Sequence, residues 1–203
     1  MTAAFRRAGS FLALTWAGKL TDPREEAFAE ALANRRFRTI ENAASEEVSV
    51  GWVTQVDPTG DRFSVDDLDG GTGAWLRMRM DRKSMPKAWL QMRLREAETA
   101  KGRKLSARER RELKDDLADQ LLPRVLPATA NIDALLFHDR RTLLLFSTAK
   151  GARDAFLKLF HETFGVELAS LAPLQLGLRL TDDGLHEALE KLEPTRWARG
   201  GAA

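Results

Sequence analysis

The 203-residue sequence contains neither cysteine nor tyrosine and has no long hydrophobic run. The lack of cysteine excludes disulfide bonds, thiolate zinc sites, cysteine-ligated iron–sulfur clusters and thiol nucleophiles. No apolar stretch approaches the roughly 20 residues that a membrane-spanning helix needs. The stretch Phe11–Trp16 is also shorter than the hydrophobic part of a signal peptide. We therefore expect a cytoplasmic protein that does not associate with a membrane.

Sequence motifs of catalysis are also missing. The three histidines are scattered and show no metal-ligand spacing. The stretch Asp67-Leu68-Asp69-Gly70 opens like a calcium loop, but Met78 stands where the bidentate glutamate belongs and Thr72 where the turn glycine belongs. No nucleophile elbow, phosphate-binding loop or dinucleotide fingerprint occurs. We predict no catalytic residue, no metal site and no cofactor, and hence a protein that is not an enzyme.

The charge of the chain is unevenly distributed. The formal net charge is +2, yet the segment from Arg82 to Lys114 holds twelve basic and four acidic residues, a net +8 that leaves −6 for the remainder. A dense basic segment is typical of a surface that binds a polyanion, and equally of a solvated helical arm. Charge alone leaves both interpretations open.

Apolar and polar residues alternate where strands are predicted. In Ala74–Arg82, leucine and methionine occupy one face and arginine and aspartate the other, the period of two of a half-buried strand. The strand of residues 74–82 is one of six, with the others at about 11–17, 48–53, 132–138, 141–147 and 174–180. Helices are predicted after caps at Asp22 and Asp182 and over residues 149–164. This pattern predicts an α+β fold, a mainly antiparallel sheet packed with helices, in a single domain over residues 1–203 with a flexible tail at 194–203.

Residues 83–122 are predicted to form a basic helical hairpin inserted between sheet segments. The first helix begins near Pro86 and ends at Gly102, and the capping box Ser106-Ala107-Arg108-Glu109 opens the second. In the first helix, Trp89 shares a stripe with two methionines. That spacing favours a core position for Trp89 over a role in base stacking.

The strings that flank and fill the hairpin resemble the recombination-associated protein RdgC family. They are Lys83-Ser84-Met85-Pro86, then Gly102-Arg103-Lys104-Leu105-Ser106-Ala107-Arg108-Glu109-Arg110-Arg111-Glu112-Leu113-Lys114, then Leu121-Leu122-Pro123-Arg124. Phe37-Arg38, Val50-Gly51-Trp52-Val53 and the run from Ser147 to Gly165 extend the likeness over about residues 35–180. None of these strings is a catalytic signature, so the resemblance rests on their order and spacing.

The resemblance implies a bacterial, nucleoid-associated protein that binds DNA without marked sequence preference. Members of the family form ring-shaped homodimers around duplex DNA and restrain the RecA recombinase indirectly, by competing with it for DNA. Two departures bear on the dimer. The sequence ends well short of the longer members, from which we expect their C-terminal part to be absent, and Leu126 stands where they place an aromatic residue near a subunit contact.

Charge and resemblance together predict sequence-nonspecific DNA binding that modulates homologous recombination, with duplex DNA as the ligand and single-stranded DNA left open. The alternative is a protein interaction module whose hairpin docks on an acidic partner, and a metal-dependent nuclease is a third interpretation. The residues expected to contact phosphates are Arg77, Arg79, Arg82, Lys83, Lys87, Arg93, Arg95, Lys101, Arg103, Lys104, Arg108, Arg110, Arg111, Lys114 and Arg124.

Overall fold

Strands and helices are interspersed along the chain in the computed structural model, which describes residues 10–43, 46–181 and 183–191. Six strands and six α-helices fall within these residues, with short 3₁₀ turns at Asp66–Leu68 and Leu122–Arg124. The strands are β1 (Leu12–Trp16), β2 (Val48–Val53), β3 (Ala74–Arg82), β4 (Ala128–Phe137), β5 (Thr142–Leu145) and β6 (Leu168–Ser170). The helices are α1 (Glu26–Asn34), α2 (Lys87–Lys101), α3 (Ala107–Leu121), α4 (Lys150–Phe164), α5 (Pro173–Leu180) and α6 (Asp183–Glu190).

The strands form one sheet in the order β2-β3-β4-β5-β1-β6. The pairs β2–β3, β3–β4, β4–β5 and β1–β5 are antiparallel. In the central pair, Met78 lies opposite Ile132 and Arg77 opposite Asp133, so one face is apolar and the other carries charge. The predicted α+β fold with a mainly antiparallel sheet is confirmed.

The hydrophobic core lies between one face of this sheet and the helices α1 and α4. Phe28 of α1 stacks on Phe164, and Phe156 of α4 meets the ring of Trp52 edge-on. The Trp52 indole N–H donates to the Thr163 hydroxyl at 2.7 Å, which satisfies the one polar atom of that ring. The apolar faces of β1, β3, β4 and β5 complete the core.

The chain divides into two compact units, one ending at Leu168 and one beginning at Ala169. The first holds β1 to β5 and α1 to α4, and the second holds α5 and α6. No helix of the described residues is long and apolar enough to span a bilayer. The predicted tail at 194–203 lies outside the described residues.

The predicted hairpin is present as α2 and α3, inserted between β3 and β4. Gly102 ends α2 in the left-handed conformation (φ 62°), which a glycine adopts without a steric penalty. Ser106 and Glu109 form both bonds of the predicted capping box at the start of α3. Neither helix contains a buried residue, in contrast to α1 and α4.

Two sequence-based expectations about local structure are wrong. Residues 174–180, predicted as a strand because leucines alternate there, form α5 instead. Pro173 is the first residue of this helix, a position that suits proline, and Leu174 and Leu178 are also one helical turn apart. Asp22 does not cap α1, because its carboxylate accepts from the Arg24 backbone N–H in a turn and the helix begins at Glu26.

Candidate nucleic-acid interface

Arg77, on the charged face of β3, is already engaged within the protein. Its guanidinium donates to both oxygens of Asp133 on β4, from Nε at 2.5 Å and from Nη2 at 3.1 Å. Asp133 is buried and Arg77 is about one-fifth exposed. Burial of a carboxylate requires a partner of opposite charge, and Arg77 is that partner.

Arg79 and Lys83 are engaged in the same way. Arg79 donates from Nε and Nη2 to the buried Asp81 at 2.9 and 2.8 Å, and this ion pair raises the pKa of the arginine. The Lys83 side chain is only 2% exposed, and its Nζ donates to the Ala43 carbonyl at 2.9 Å. The sequence-based expectation of phosphate contacts does not fit Lys83, because a buried ammonium cannot reach a surface ligand.

The turn of the hairpin is held by one carboxylate. Glu109 accepts from Lys101 Nζ at 2.8 Å, from Arg103 Nη1 and Nη2 at 2.9 and 2.8 Å, and from the Ser106 backbone N–H at 2.8 Å. The Arg103 guanidinium, then the Lys101 ammonium, then the Ser106 donors hold the pKa of Glu109 far below its usual range. Four donors on one acceptor fix the shape of the turn.

A second carboxylate ties α2 to α3. Glu98 Oε1 accepts from the Leu105 backbone N–H at 3.2 Å and from Arg110 Nη2 at 2.7 Å, and these contacts lower the pKa of Glu98. Leu105 is itself buried in the linker between the helices. The hairpin therefore has a defined turn although neither of its helices contains a buried residue.

The remaining cations of the hairpin point into solvent. Within the described residues, six of the predicted contact residues are exposed and make no ion pair: Arg82, Lys87, Arg95, Arg111, Lys114 and Arg124. Lys104 is also exposed and interacts with Glu98 only through its charge. Arg93 and Arg108 form exposed ion pairs with Glu96 and Glu112 on their own helices. Such pairs contribute about 0.5 kcal/mol or less, so a phosphate can replace the carboxylate at little cost.

The tip of the hairpin concentrates this charge. Residues 101–111 contain six basic side chains and one acidic side chain, Glu109, and all six basic residues are exposed. A surface with this charge density attracts polyanions and releases their counterions on binding. Of the fifteen predicted contact residues, twelve lie exposed in or beside the hairpin, and Arg77, Arg79 and Lys83 do not.

Trp89 lies on the surface, so the prediction that it belongs to the core is wrong. It is 47% exposed, and Met92 on the same helix is 42% exposed. The half-buried residues of α2 are mainly Leu90, Leu94 and Ala97, which share a different face. Helical spacing identified a stripe correctly, but spacing does not reveal whether the body of the protein covers it.

A separate cavity of about 460 Å³ lies beside the loop between β2 and β3 and is lined by both polar and apolar residues. Asp22, Asp66, Asp69 and Asp139 line it together with His138, whose Nε2 donates to the Leu20 carbonyl at 3.0 Å. The Arg24 side chain and backbone N–H lower the pKa of Asp22 to about 2. Within the described ranges, no three histidine, aspartate or glutamate side chains are placed to hold a metal ion.

A comparison with protein-family models shows which family the chain belongs to. Residues 14–181 match the family model described as "Putative exonuclease, RdgC", which covers both the sheet and the hairpin. The chain belongs to the RdgC family. The resemblance noted from the hairpin strings is thereby confirmed. A search of curated proteins found no significant match to this RdgC-family chain.

Sequence reasoning missed two features of this RdgC-family surface. The exposure of Trp89 was not anticipated, and neither was the bond between Glu98 on α2 and Arg110 on α3. The capping box did identify Glu109, because Ser106 and Glu109 have the spacing of that motif. No spacing rule reports a contact between two helices, so Glu98 carried no such signal.

Proposed function

We propose that this RdgC-family protein binds DNA without sequence preference through the exposed basic residues of the α2–α3 hairpin. The observation that supports the proposal is the tip, where six exposed cations surround a turn fixed by Glu109. Phosphate contacts position a protein on DNA without reading its bases, so basic side chains alone give binding that tolerates any sequence. In this role the protein modulates homologous recombination by competing with the RecA recombinase for DNA, in the nucleoid and as a homodimer.

The salt dependence of binding tests this proposal directly. If about five phosphates are engaged, the logarithm of the affinity should fall with the logarithm of the salt concentration with a slope of about −4 to −5. Fluorescence anisotropy of labelled duplexes of unrelated sequence, titrated at several salt concentrations, measures this slope. A slope near zero would contradict the proposal.

A charge-reversal variant locates the surface. Replacing four cations of the tip by glutamate should lower the affinity for every duplex by at least about 100-fold. The salt-dependence slope should also become shallower by about 3 to 4, since four counterion-releasing contacts are lost. The substitutions are Arg103→Glu, Lys104→Glu, Arg108→Glu and Arg111→Glu.

The matched control changes the same total charge elsewhere. Four cations outside the hairpin are exposed and have no ion pair among the described residues, and they are changed in the control: Lys19→Glu, Arg38→Glu, Arg140→Glu and Lys150→Glu. Equal losses in the two variants would mean that total charge, and not the hairpin, governs binding. If wild type binds no DNA at low salt, the acidic protein partner becomes the ligand to seek.

We also propose that the protein binds DNA without cleaving it. The family description mentions exonuclease activity, and nucleases that use metal ions need clustered carboxylates near the scissile bond. End-labelled duplex and single-stranded DNA incubated with Mg²⁺ or Mn²⁺ should remain intact. Cleavage that a chelator abolishes would overturn this part of the proposal and direct attention to the aspartates lining the cavity near His138.

A further inference from the structure

Trp89 presents a large apolar ring on the surface of α2, where Met92 is also exposed. About half of the side chain reaches solvent, although a tryptophan is among the most costly residues to leave exposed. Lys87 and Arg95 are exposed and form no ion pair among the described residues, but at about 100° per residue they lie on the other side of α2 from Trp89. The ring therefore belongs to a hairpin that is basic as a whole, with Arg93 and Glu96 as the charged residues on its own side of the helix.

A guanidinium accompanies the ring. Arg93 lies one helical turn after Trp89, and its Cζ is 5.3 Å from the centre of the indole. Arg93 also donates to Glu96 at 3.0 Å, which holds its side chain along the helix beside the ring. Because the guanidinium lies over one face of the ring, a base would stack on the opposite face while its phosphate pairs with a cation of the hairpin.

We propose that Trp89 and Arg93 form a stacking site for the unpaired bases of single-stranded DNA; this proposal rests on the DNA-binding function proposed above. In a duplex, the faces of the bases are covered by their neighbours and only their edges reach the grooves. An indole on the outside of a helix can stack only on a base that is unstacked. The hairpin thus has two modes of binding, phosphate contacts on any DNA and an added stacking contact on single strands.

The charge of the whole hairpin favours DNA over a protein as the ligand of the ring. Arg93 and Glu96, on the same side of α2 as Trp89, pair with each other, but the segment from Arg82 to Lys114 holds twelve basic and four acidic residues. A protein would have to supply several carboxylates to match these cations, whereas a DNA strand carries a phosphate at every nucleotide.

The test compares Trp89→Ala with wild type on three ligands: a short oligothymidylate, an abasic deoxyribose-phosphate strand of the same length, and a duplex. The variant should lose about 5- to 100-fold in affinity for oligothymidylate and bind the abasic strand and the duplex as wild type does. Trp89→Phe, which keeps an aromatic face, should recover most of the loss. Alanine is the best helix former and α2 has no buried residue, so the variant retains its fold, which circular dichroism checks.

Val56→Ala, in the loop between β2 and β3, is the matched control. It removes an apolar side chain that is more exposed than Trp89 but has no ring, and it should leave all three affinities unchanged. An equal loss on the abasic strand, or no loss on oligothymidylate, would overturn the stacking site. The stacking site would also be overturned if Trp89→Ala showed a lower mass than wild type in light scattering but the same DNA affinity, because the ring would then belong to a protein interface. If wild type binds none of the three ligands, the DNA-binding function itself fails.

Discussion

In the sheet, Arg77 and Arg79 project from β3 onto the carboxylates of Asp133 and Asp81, whereas in the hairpin Arg95 and Arg111 extend into solvent without an ion pair among the described residues. The residue type is the same, but its surroundings differ. An arginine on a covered sheet face must be paired, because an unpaired buried charge is costly. An arginine on an uncovered helix has no such requirement, so its charge stays available to a ligand.

The difference extends from charges to apolar side chains. The core beneath the sheet buries Phe28, Phe156 and Phe160 completely, while neither hairpin helix buries a single residue. The sheet unit therefore derives its stability from burial, and the hairpin from caps, ion pairs and a thin apolar seam. One chain thus contains a scaffold that tolerates few changes and an arm that tolerates many.

Identical leucine truncations in the two regions should show the largest contrast. Leu136→Ala removes a completely buried side chain of β4 and should lower the free energy of unfolding by about 3 to 5 kcal/mol. Leu113→Ala removes a half-buried side chain of α3 and should cost about 1 kcal/mol or less, since less area leaves water there. Urea unfolding followed by circular dichroism measures both. Equal losses would mean that the hairpin and sheet share one core.

Neutralising one partner of an ion pair should show a smaller contrast of the same kind. Asp133→Asn leaves the partly buried Arg77 without its charged partner and should cost about 3 kcal/mol. Glu112→Gln breaks the exposed pair with Arg108 and should cost about 0.5 kcal/mol or less. Urea unfolding followed by circular dichroism measures both free energies. In about 1 M salt the cost of Glu112→Gln should disappear, whereas that of Asp133→Asn should remain. A small cost for Asp133→Asn would show that the sheet arginines are not structurally required.

The strands and helices were largely predictable because their patterns are local. The alternation in Ala74–Arg82 gave the bounds of β3, and Gly102 with the Ser106 capping box gave the ends of the hairpin helices. The segment 174–180 failed because its leucines fit both periods, and an eight-residue helix is too short for spacing to decide. Where two periods coincide, the proline at the start was the better signal.

The candidate site was predictable in its charge but not in its exposure. Counting basic residues located the hairpin, because charge density is a property of the sequence. The predicted contact residues also included Arg77 and Arg79 from the charged face of β3, since the acids that pair with them are known only from side-chain geometry and, for Asp133, from the β3–β4 register. Trp89 was misplaced for a related reason: a helical stripe is buried only if another element lies against it, and α2 projects its Trp89 face into solvent.

The smallest expected effect is a pH dependence confined to the hairpin turn. Because Arg103, Lys101 and Ser106 lower the pKa of Glu109 in the folded state, the carboxylate stabilises the turn fully above its unfolded pKa of about 4.3. That contribution decreases as the pH falls below this value, because the unfolded chain takes up a proton first, and it is lost once Glu109 in the folded turn is protonated at its lower pKa. Carbon-13 titration of the glutamate carboxyls should place the Glu109 midpoint well below the ordinary range, and the Cα shifts of residues 101–110 should move at the same low pH.

Glu109→Gln separates this turn from acid effects on the sheet. The variant should show turn shifts already altered at neutral pH and little further change in acid, whereas Glu112→Gln, which leaves the turn bonds intact, should behave as wild type. Asp22 and Asp57, whose pKa values hydrogen bonds lower to about 2, titrate in both variants and report on the sheet unit. A Glu109 midpoint near 4.3 would mean that the turn is open in solution, and the comparison would then separate a rigid sheet from a hairpin without a fixed tip.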